Sequence, residues 1–221
     1  MRAVLPAILL SLAACSQKSV DEHAVVDYLQ EQPPAARARI VAEANASEEH
    51  PGLIHRGDKD LTLVGVPLPV GSDLPDLALA EIVNDKLDTL QLGSLRGQLV
   101  VLSVVPSIDT RVCEIQTHTV SDAIAKMPPD TVVITVSRDL PFAQTRFAEE
   151  ALTKTRMASD YKDGTFGQTF GVEVKETGLL ARSVWVFDRD GKLAYREIVD
   201  DQGDQPDYEA MLIAVSNLDA S

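Results

Sequence analysis

The chain has 221 residues, of which 45% are apolar, so it can bury one sizeable α/β domain with an extension but not two full domains. Its formal net charge of −14 and its lack of a basic cluster argue against a nucleic-acid-binding surface. The two cysteines, Cys15 and Cys113, exclude a disulfide framework and a CxxC or paired-cysteine metal site. The histidines of the N-terminal region have no metal-ligand spacing with either cysteine, so neither a metal nor another cofactor is predicted.

Residues 1–14 have the features of a signal peptide: a basic Arg2, an apolar run over residues 3–12 and small residues before Cys15. The run is too short to span a bilayer as a stable helix. The LAAC stretch that ends at Cys15 resembles the bacterial lipobox, which implies that Cys15 is lipidated and begins the mature chain. An ordinary cleaved signal peptide and an uncleaved anchor are the alternatives. With Ser16 next, the resemblance implies a lipoprotein in the bacterial envelope, at the periplasmic face of the outer membrane, or a periplasmic protein.

Residues 15–60 are rich in Ala, Glu and Gln and contain few large apolar residues, which is typical of a tether. We expect a short helix that ends at Pro33 and a second one over residues 35–46, both with too little apolar face to form a domain. The folded domain is therefore expected to span residues 61–221.

Strands and helices then alternate. A small N-terminal β-hairpin is predicted from residues 61–64 and 66–70, on either side of Gly65. Further strands are predicted at 77–83, 87–92, 98–105, 130–136, 156–159, 183–188 and 192–199, and helices at 114–127, 142–152, 161–170 and 207–218. This order is typical of a thioredoxin-like α/β fold, with a central mixed sheet flanked by helices.

The PSIDTRVC stretch, residues 106–113, follows a continuous apolar strand and precedes an amphipathic helix. Cys113 is thus expected at a helix start, where unpaired backbone N–H groups and the positive end of the helix dipole favour a thiolate over a thiol. A small buried cysteine packed under the helix is the alternative.

Pro106, Thr110 and Cys113 have the spacing Pro-x-x-x-Thr-x-x-Cys. Other characteristic stretches are TLVG at 62–65, DLPFAQ followed by Arg-Phe within 139–147, SDY at 159–161, GLLAR at 178–182 and DYEA at 207–210. Together these stretches resemble the thiol peroxidase branch of the peroxiredoxins, in register over about residues 60–218.

The resemblance implies that Cys113 is the peroxidatic nucleophile and that Thr110 donates a hydroxyl hydrogen bond to its sulfur. It also implies that Arg182 stabilises the thiolate and polarises the O–O bond, and that Pro106 shields the sulfur from water. The alternatives are an N-cap for Thr110, a surface ion pair for Arg182 and a strand end for Pro106. His118, one turn after Cys113, is expected to be a solvated helix residue rather than a base.

Members of this branch commonly carry a resolving cysteine in the pattern Arg-Phe-Cys, where this chain has Ala148. Lipidation would consume the sulfur of Cys15, so the resemblance implies a one-cysteine cycle that needs an external thiol, from a thioredoxin-like protein or a small molecule. The predicted function is an antioxidant thiol-dependent peroxidase that reduces hydrogen peroxide and organic hydroperoxides. The alternative is a low-turnover peroxide sensor or binding protein of the same fold. Family resemblance also implies a homodimer.

Overall fold

The structure is a computed structural model that describes residues 27, 28 and 30–219. The predicted signal peptide and Cys15 lie outside these residues, so both stay predictions. Among the described helices, none is long and apolar enough to cross a membrane.

Helices and strands alternate through the described part of the chain much as predicted. The helices are α1 (Pro34–Asn45), α2 (Arg111–Ala123), α3 (Pro141–Glu150), α4 (Thr165–Phe170) and α5 (Tyr208–Asp219). The strands are β1 (Glu49–Arg56), β2 (Lys59–Val64), β3 (Ala78–Val83), β4 (Lys86–Gln91), β5 (Leu99–Val104), β6 (Thr131–Ser137), β7 (Arg156–Ser159), β8 (Glu173–Val174), β9 (Ser183–Phe187) and β10 (Leu193–Ile198).

A seven-stranded mixed sheet forms the centre, in the order β10-β9-β5-β6-β7-β3-β4. The pairs β5-β6 and β6-β7 are parallel, whereas β9, β10, β3 and β4 join antiparallel. Leu99 and Val101 of β5 pack with α2 and α5 on one face. Val100 and Leu102 pack on the other face with Trp185 and the aromatic residues of α4. Side chains alternate between the two faces along a strand, and both faces of β5 are covered by other elements. The C-terminal end of β5 therefore lies in the middle of the domain.

The predicted N-terminal hairpin is wrong in its position. β2 pairs antiparallel with β1, which the sequence analysis assigned to the tether, and with β8 on its other side. Residues 66–70 form no strand, because Gly65 turns the chain at φ +89° and the following VPLPV run contains two prolines that cannot donate to a ladder.

The domain also begins earlier than residue 61, because α1 is docked on it. Asn45 at the end of α1 is 1% exposed, and its Nδ2 donates to the Gln168 carbonyl oxygen at 2.5 Å and to that of Val66 at 3.3 Å. Its Oδ1 accepts the Val66 N–H at 3.0 Å. A Cβ at Gly65 would lie 2.6 Å from Asn45 Nδ2, so this contact requires glycine. This docking could not be predicted from the sequence, because it depends on one polar side chain rather than on an apolar face.

Candidate active site

Cys113 is the third residue of α2 and follows β5 across a short loop. Its side chain is buried and packs with Val105 and Ile108 and, from the direction of α3 and β7, with Ala143, Phe147 and Met157. The sulfur therefore lies in a packed apolar cluster at the start of a helix that the central strand positions.

Arg182 comes from the segment just before β9 and is fully buried beside this sulfur. Its Nη2 lies 3.5 Å from Cys113 Sγ. Nη1 donates to Gln116 Oε1 at 2.7 Å, and Nε and Nη2 donate to the Gln202 carbonyl oxygen at 3.3 and 3.2 Å. Within the described residues, the hydrogen-bond acceptors of Arg182 are thus neutral oxygens and the sulfur. The surface ion pair, which was the alternative for Arg182, is wrong, and the guanidinium directs an uncompensated charge at Cys113.

Gln116 and Gln202, which hold Arg182, were missed by the sequence analysis. Gln116 is one helical turn after Cys113, and its Nε2 donates to Ser103 Oγ at 2.9 Å. Gln202 Oε1 accepts the backbone N–H of Arg182 at 2.5 Å. Gln116 could have been singled out in the sequence, because it is a polar residue on the face of α2 that is otherwise buried. Gln202 lies in a loop and gave no such signal.

The expected hydrogen bond from Thr110 to the sulfur is absent. Thr110 is exposed at the N-cap position of α2, where its hydroxyl donates to the Ser107 carbonyl oxygen at 3.4 Å instead of to Sγ. Its side chain makes no capping hydrogen bond either. Pro106 is half-buried and is the second residue after β5, in the loop that leads to α2. The side chain of His118 is 45% exposed and lies 3.9 Å from Glu114, so it is a solvated helix residue, as expected.

Two clamps hold the segment that carries Cys113. The Asp139 carboxylate accepts Ser107 Oγ and the Ile108 N–H, both at 2.8 Å. On the other side, Gln205 Nε2 donates to the Val112 carbonyl oxygen at 2.9 Å. The Tyr208 hydroxyl donates to Gln205, and burial raises the pKa of Tyr208 to about 12, so this donor keeps its proton at neutral pH. Asp139 belongs to a stretch that carried the resemblance, but its role follows only from the contact across the fold.

Comparisons with known proteins agree with this geometry. The family model described as Redoxin matches residues 69–212. A thiol peroxidase of Bacillus subtilis is 40% identical over 159 residues, which cover 72% of this chain and 93% of that protein. The chain belongs to the thiol peroxidase family. A thiol peroxidase of Staphylococcus saprophyticus is 43% identical over 159 residues, which cover 72% of this chain and 94% of that one.

Solved structures of related proteins confirm the predicted thioredoxin-like fold. A peroxiredoxin-like protein from Aquifex aeolicus has a TM-score of 0.67 at 31% identity, covering 76% of this chain and 99% of that chain. A thiol peroxidase from Chromobacterium violaceum has the same fold, with a TM-score of 0.67 at 18% identity over 76% of this chain and 97% of that one. The protein is an oxidoreductase of the peroxiredoxin type.

A second arginine, Arg138, connects two of the sequence stretches that carry the resemblance to the thiol peroxidase family. Its guanidinium contacts Asp160 at 3.4 Å and Glu173 at 2.8 Å and donates to the Gly178 carbonyl oxygen. Asp160 also accepts the Phe166 N–H at 2.9 Å and another from the first turn of α4. Burial raises the pKa of Asp160 to about 6, although these hydrogen bonds and Arg138 oppose the rise. The SDY and GLLAR stretches therefore meet at one structural network.

Metal ligation is not indicated by the described residues, which contain no group of three or more His, Cys, Asp or Glu side chains able to hold an ion.

Proposed function

We propose that this protein is a thiol-dependent peroxidase that reduces hydrogen peroxide and organic hydroperoxides through Cys113. The observation that supports it is the buried Arg182 guanidinium, 3.5 Å from Sγ and hydrogen-bonded otherwise to neutral oxygens. A buried cation without a carboxylate partner stabilises negative charge at the position it faces, here the reacting sulfur and oxygen atoms.

In the proposed reaction, the Cys113 thiolate attacks one peroxide oxygen in line with the O–O bond. The S–O bond forms as the O–O bond breaks, and the second oxygen leaves as hydroxide or alkoxide and takes up a proton. The sulfur becomes a sulfenic acid. Arg182 donates to the oxygen on which charge develops. Pro106 restricts water at the pocket mouth, and the exposed Thr110 hydroxyl meets the incoming peroxide.

The cycle is proposed to use one cysteine of the chain. Ala148 stands where the family resemblance places a resolving cysteine, and lipidation would consume the sulfur of Cys15. An external thiol must then reduce the sulfenic acid, in two steps through a mixed disulfide.

The first experiment uses the chain with Cys15→Ser, which leaves Cys113 as its sole thiol. Hydrogen peroxide should remove one thiol per chain in a single turnover, and dithiothreitol should sustain peroxide consumption. Adding Cys113→Ser should abolish both signals. Reaction at the original rate without Cys113 would refute the site. Fast oxidation without turnover, across a panel of reductants, would refute the peroxidase and favour the sensor.

We also propose that Cys15 is lipidated and holds the protein at the periplasmic face of the outer membrane, on the strength of the LAAC stretch alone. Labelling with an alkyne fatty acid in a bacterial host should mark the wild-type chain and not Cys15→Ala, which should fractionate with periplasmic proteins. Labelling of the Cys15→Ala chain would contradict the assignment.

A homodimer is proposed from the family resemblance, and sedimentation velocity of the Cys15→Ala chain tests it.

A further inference from the structure

The loop after β10 makes a tight turn around Gln202, the residue whose main-chain oxygen binds the Arg182 guanidinium. In this turn, Asp201 Oδ1 accepts the Gly203 N–H at 2.8 Å, and the Asp201 carbonyl oxygen accepts the Asp204 N–H at 2.8 Å. A side-chain oxygen that binds the N–H two residues later forms an Asx turn, which fixes the backbone of the residue in between. The Asp201 side chain therefore fixes the backbone of Gln202.

One peptide group connects the Asp201 carboxylate to the Arg182 guanidinium. It consists of the Gln202 carbonyl and the Gly203 N–H, which point in opposite directions because the peptide group is planar and trans. The N–H donates to Asp201 Oδ1, and the oxygen accepts Arg182 Nε and Nη2 at 3.3 and 3.2 Å. Nη2 is also the nitrogen 3.5 Å from Cys113 Sγ. The hydrogen bonds thus form a continuous chain from a carboxylate to the reactive sulfur.

The other contacts of the Asp201 side chain are longer. Its Oδ1 lies 3.5 Å from the Gly57 nitrogen, and its Oδ2 lies 3.7 Å from Nε2 of His55, in a partly exposed pair. Ion pairs of this kind add little stability. The Gly203 N–H is the main cause that lowers the pKa of Asp201, although desolvation opposes the shift. The bond to Gly203 is therefore the contact through which this carboxylate mainly acts.

Strand β1 holds the same turn independently of the carboxylate. The His55 N–H donates to the Asp200 carbonyl oxygen, and the His55 carbonyl oxygen accepts the Gln202 N–H, both at 2.8 Å. The Gln202 side chain is buried, and its Nε2 donates to the Val199 carbonyl oxygen at 2.5 Å. A change at Asp201 therefore frees the direction of the Gln202 carbonyl group, while these contacts keep the loop in its place.

We propose that Asp201 is a positioning residue for the reaction of Cys113, which acts through the orientation of Arg182. This proposal rests on the proposed peroxidase function. Within the described residues, the other acceptors of Arg182 are neutral oxygens, so direct hydrogen bonds and not an ion pair orient its guanidinium. Because hydrogen bonds are directional, rotation of the Gln202 carbonyl group turns Nη2 away from Sγ. Loss of the Asp201 acceptor should therefore slow the attack of the sulfur on peroxide in protein that is still folded.

The first test measures the rate of Cys113 oxidation by hydrogen peroxide in the Cys15→Ser chain. Asp201→Ala should lower this rate about five- to tenfold, because the hydrogen bond that fixes the peptide group is lost. Asp201→Asn keeps an acceptor oxygen for the same turn and should recover the rate to within about twofold of the parent. Asp204→Ala removes the same charge from an exposed position of this turn, so it is the matched control and should leave the rate unchanged.

A double-mutant cycle with Arg182→Met separates positioning from a purely structural role. In the Arg182→Met background, Asp201→Ala should change the rate less than about twofold, because the group through which Asp201 acts is absent. An equal loss in both backgrounds, or an unchanged rate in Asp201→Ala alone, would overturn the proposal. Asp201→Ser makes the turn more weakly and should lower the parent rate about threefold. It takes the place of Asp201→Ala in the cycle if that variant does not fold.

Ionisation of Cys113 is a second readout, and it needs no peroxide. The ultraviolet absorbance of the thiolate, followed against pH, should have its midpoint about half a pH unit higher in Asp201→Ala, because a displaced guanidinium stabilises the anion less. Removal of a negative charge alone moves the midpoint downward, so Asp204→Ala and Asp201→Asn should lie at or slightly below the parent value. A midpoint that does not rise in Asp201→Ala would overturn the proposal. Failure of the parent chain to react with peroxide would overturn the peroxidase, whereas this titration would still decide the role of Asp201.

Discussion

Two arginines of this protein lie largely inside the fold but have opposite surroundings. Arg182 has Gln116, the Gln202 carbonyl and the sulfur as partners, all without a carboxylate. Arg138, in contrast, contacts the carboxylates of Asp160 and Glu173. A compensated charge fixes structure, while an uncompensated one remains available to a reacting anion. The difference predicts that loss of Arg182 damages chemistry and that loss of Arg138 damages folding.

The largest effect on chemistry is expected for Arg182→Met. We expect the rate of Cys113 oxidation by hydrogen peroxide to fall about 10²–10³-fold, because the donor to the developing oxyanion is lost. Stopped-flow kinetics would measure this rate, with Arg56→Met at an exposed position of β1 as a control for removal of one cation. A rate within about threefold of the parent would contradict a role in the chemical step.

For Arg138→Met, the free energy of unfolding should fall by about 3–5 kcal/mol, because Asp160 and Glu173 lose their common cation. Urea denaturation monitored through Trp185, the sole tryptophan, would measure the loss. Folded Arg138→Met protein at low temperature should still react with peroxide at near the parent rate. Loss of reactivity with peroxide without loss of stability would contradict the structural role assigned to Arg138.

A smaller, pH-dependent effect is expected from Asp160. Its pKa in the fold, about 6, is raised above the ordinary value of 3.8 by burial. The group therefore contributes most to stability below pH 3.8, and that contribution is lost as the pH rises through about 6. Asp160→Asn removes this titration, so the unfolding free energy of the parent relative to the variant should increase between pH 7.5 and 5. Asp163→Asn, at an exposed neighbour, should leave the pH profile unchanged; a parent profile identical to that of Asp160→Asn would contradict the assignment.

The smallest effect is expected for the Asp139 clamp. Asp139→Asn keeps one acceptor oxygen, so it should destabilise the loop by about 1–2 kcal/mol, equivalent to roughly tenfold faster exchange of the Ile108 amide hydrogen. Amide exchange followed by NMR would show whether this increase is confined to the loop before α2. Asp122→Asn, exposed on α2, serves as the control. Unchanged protection of Ile108 would show that the carboxylate does not hold the loop.

Local sequence patterns predicted the parts of the fold that local rules govern. The apolar runs of β5 and β6 and the turn between β9 and β10 followed from burial and turn chemistry alone. The family resemblance predicted that Cys113 and Arg182 would meet. The hydroxyl of Thr110 was misplaced, because a nearby loop carbonyl competes for its single proton.

Contacts between distant segments could not be predicted in the same way. The docking of α1 depends on Asn45 binding backbone groups of Val66 and Gln168, and no periodicity signals such a contact. Gln202 binds the Arg182 guanidinium through its main-chain oxygen, which any residue type could supply, and its side-chain Oε1 accepts the Arg182 backbone N–H from a loop that carries no sequence pattern. Arg138 looks like an ordinary charged residue until Asp160 and Glu173 are brought beside it by the fold.

The docking of helix α1 also limits how far the domain can lie from its proposed lipid anchor. If Cys15 carries the proposed lipid, the first residue of α1, Pro34, lies 19 residues from the attachment point, whereas residue 61 lies 46 residues from it. A fully extended chain spans at most ~3.5 Å per residue, so the tether holds the domain within about 65 Å of its anchor rather than about 160 Å. Under the proposed lipidation of Cys15, Asn45 would thus shorten the tether by fastening α1 to the domain and would keep the enzyme close to the membrane surface.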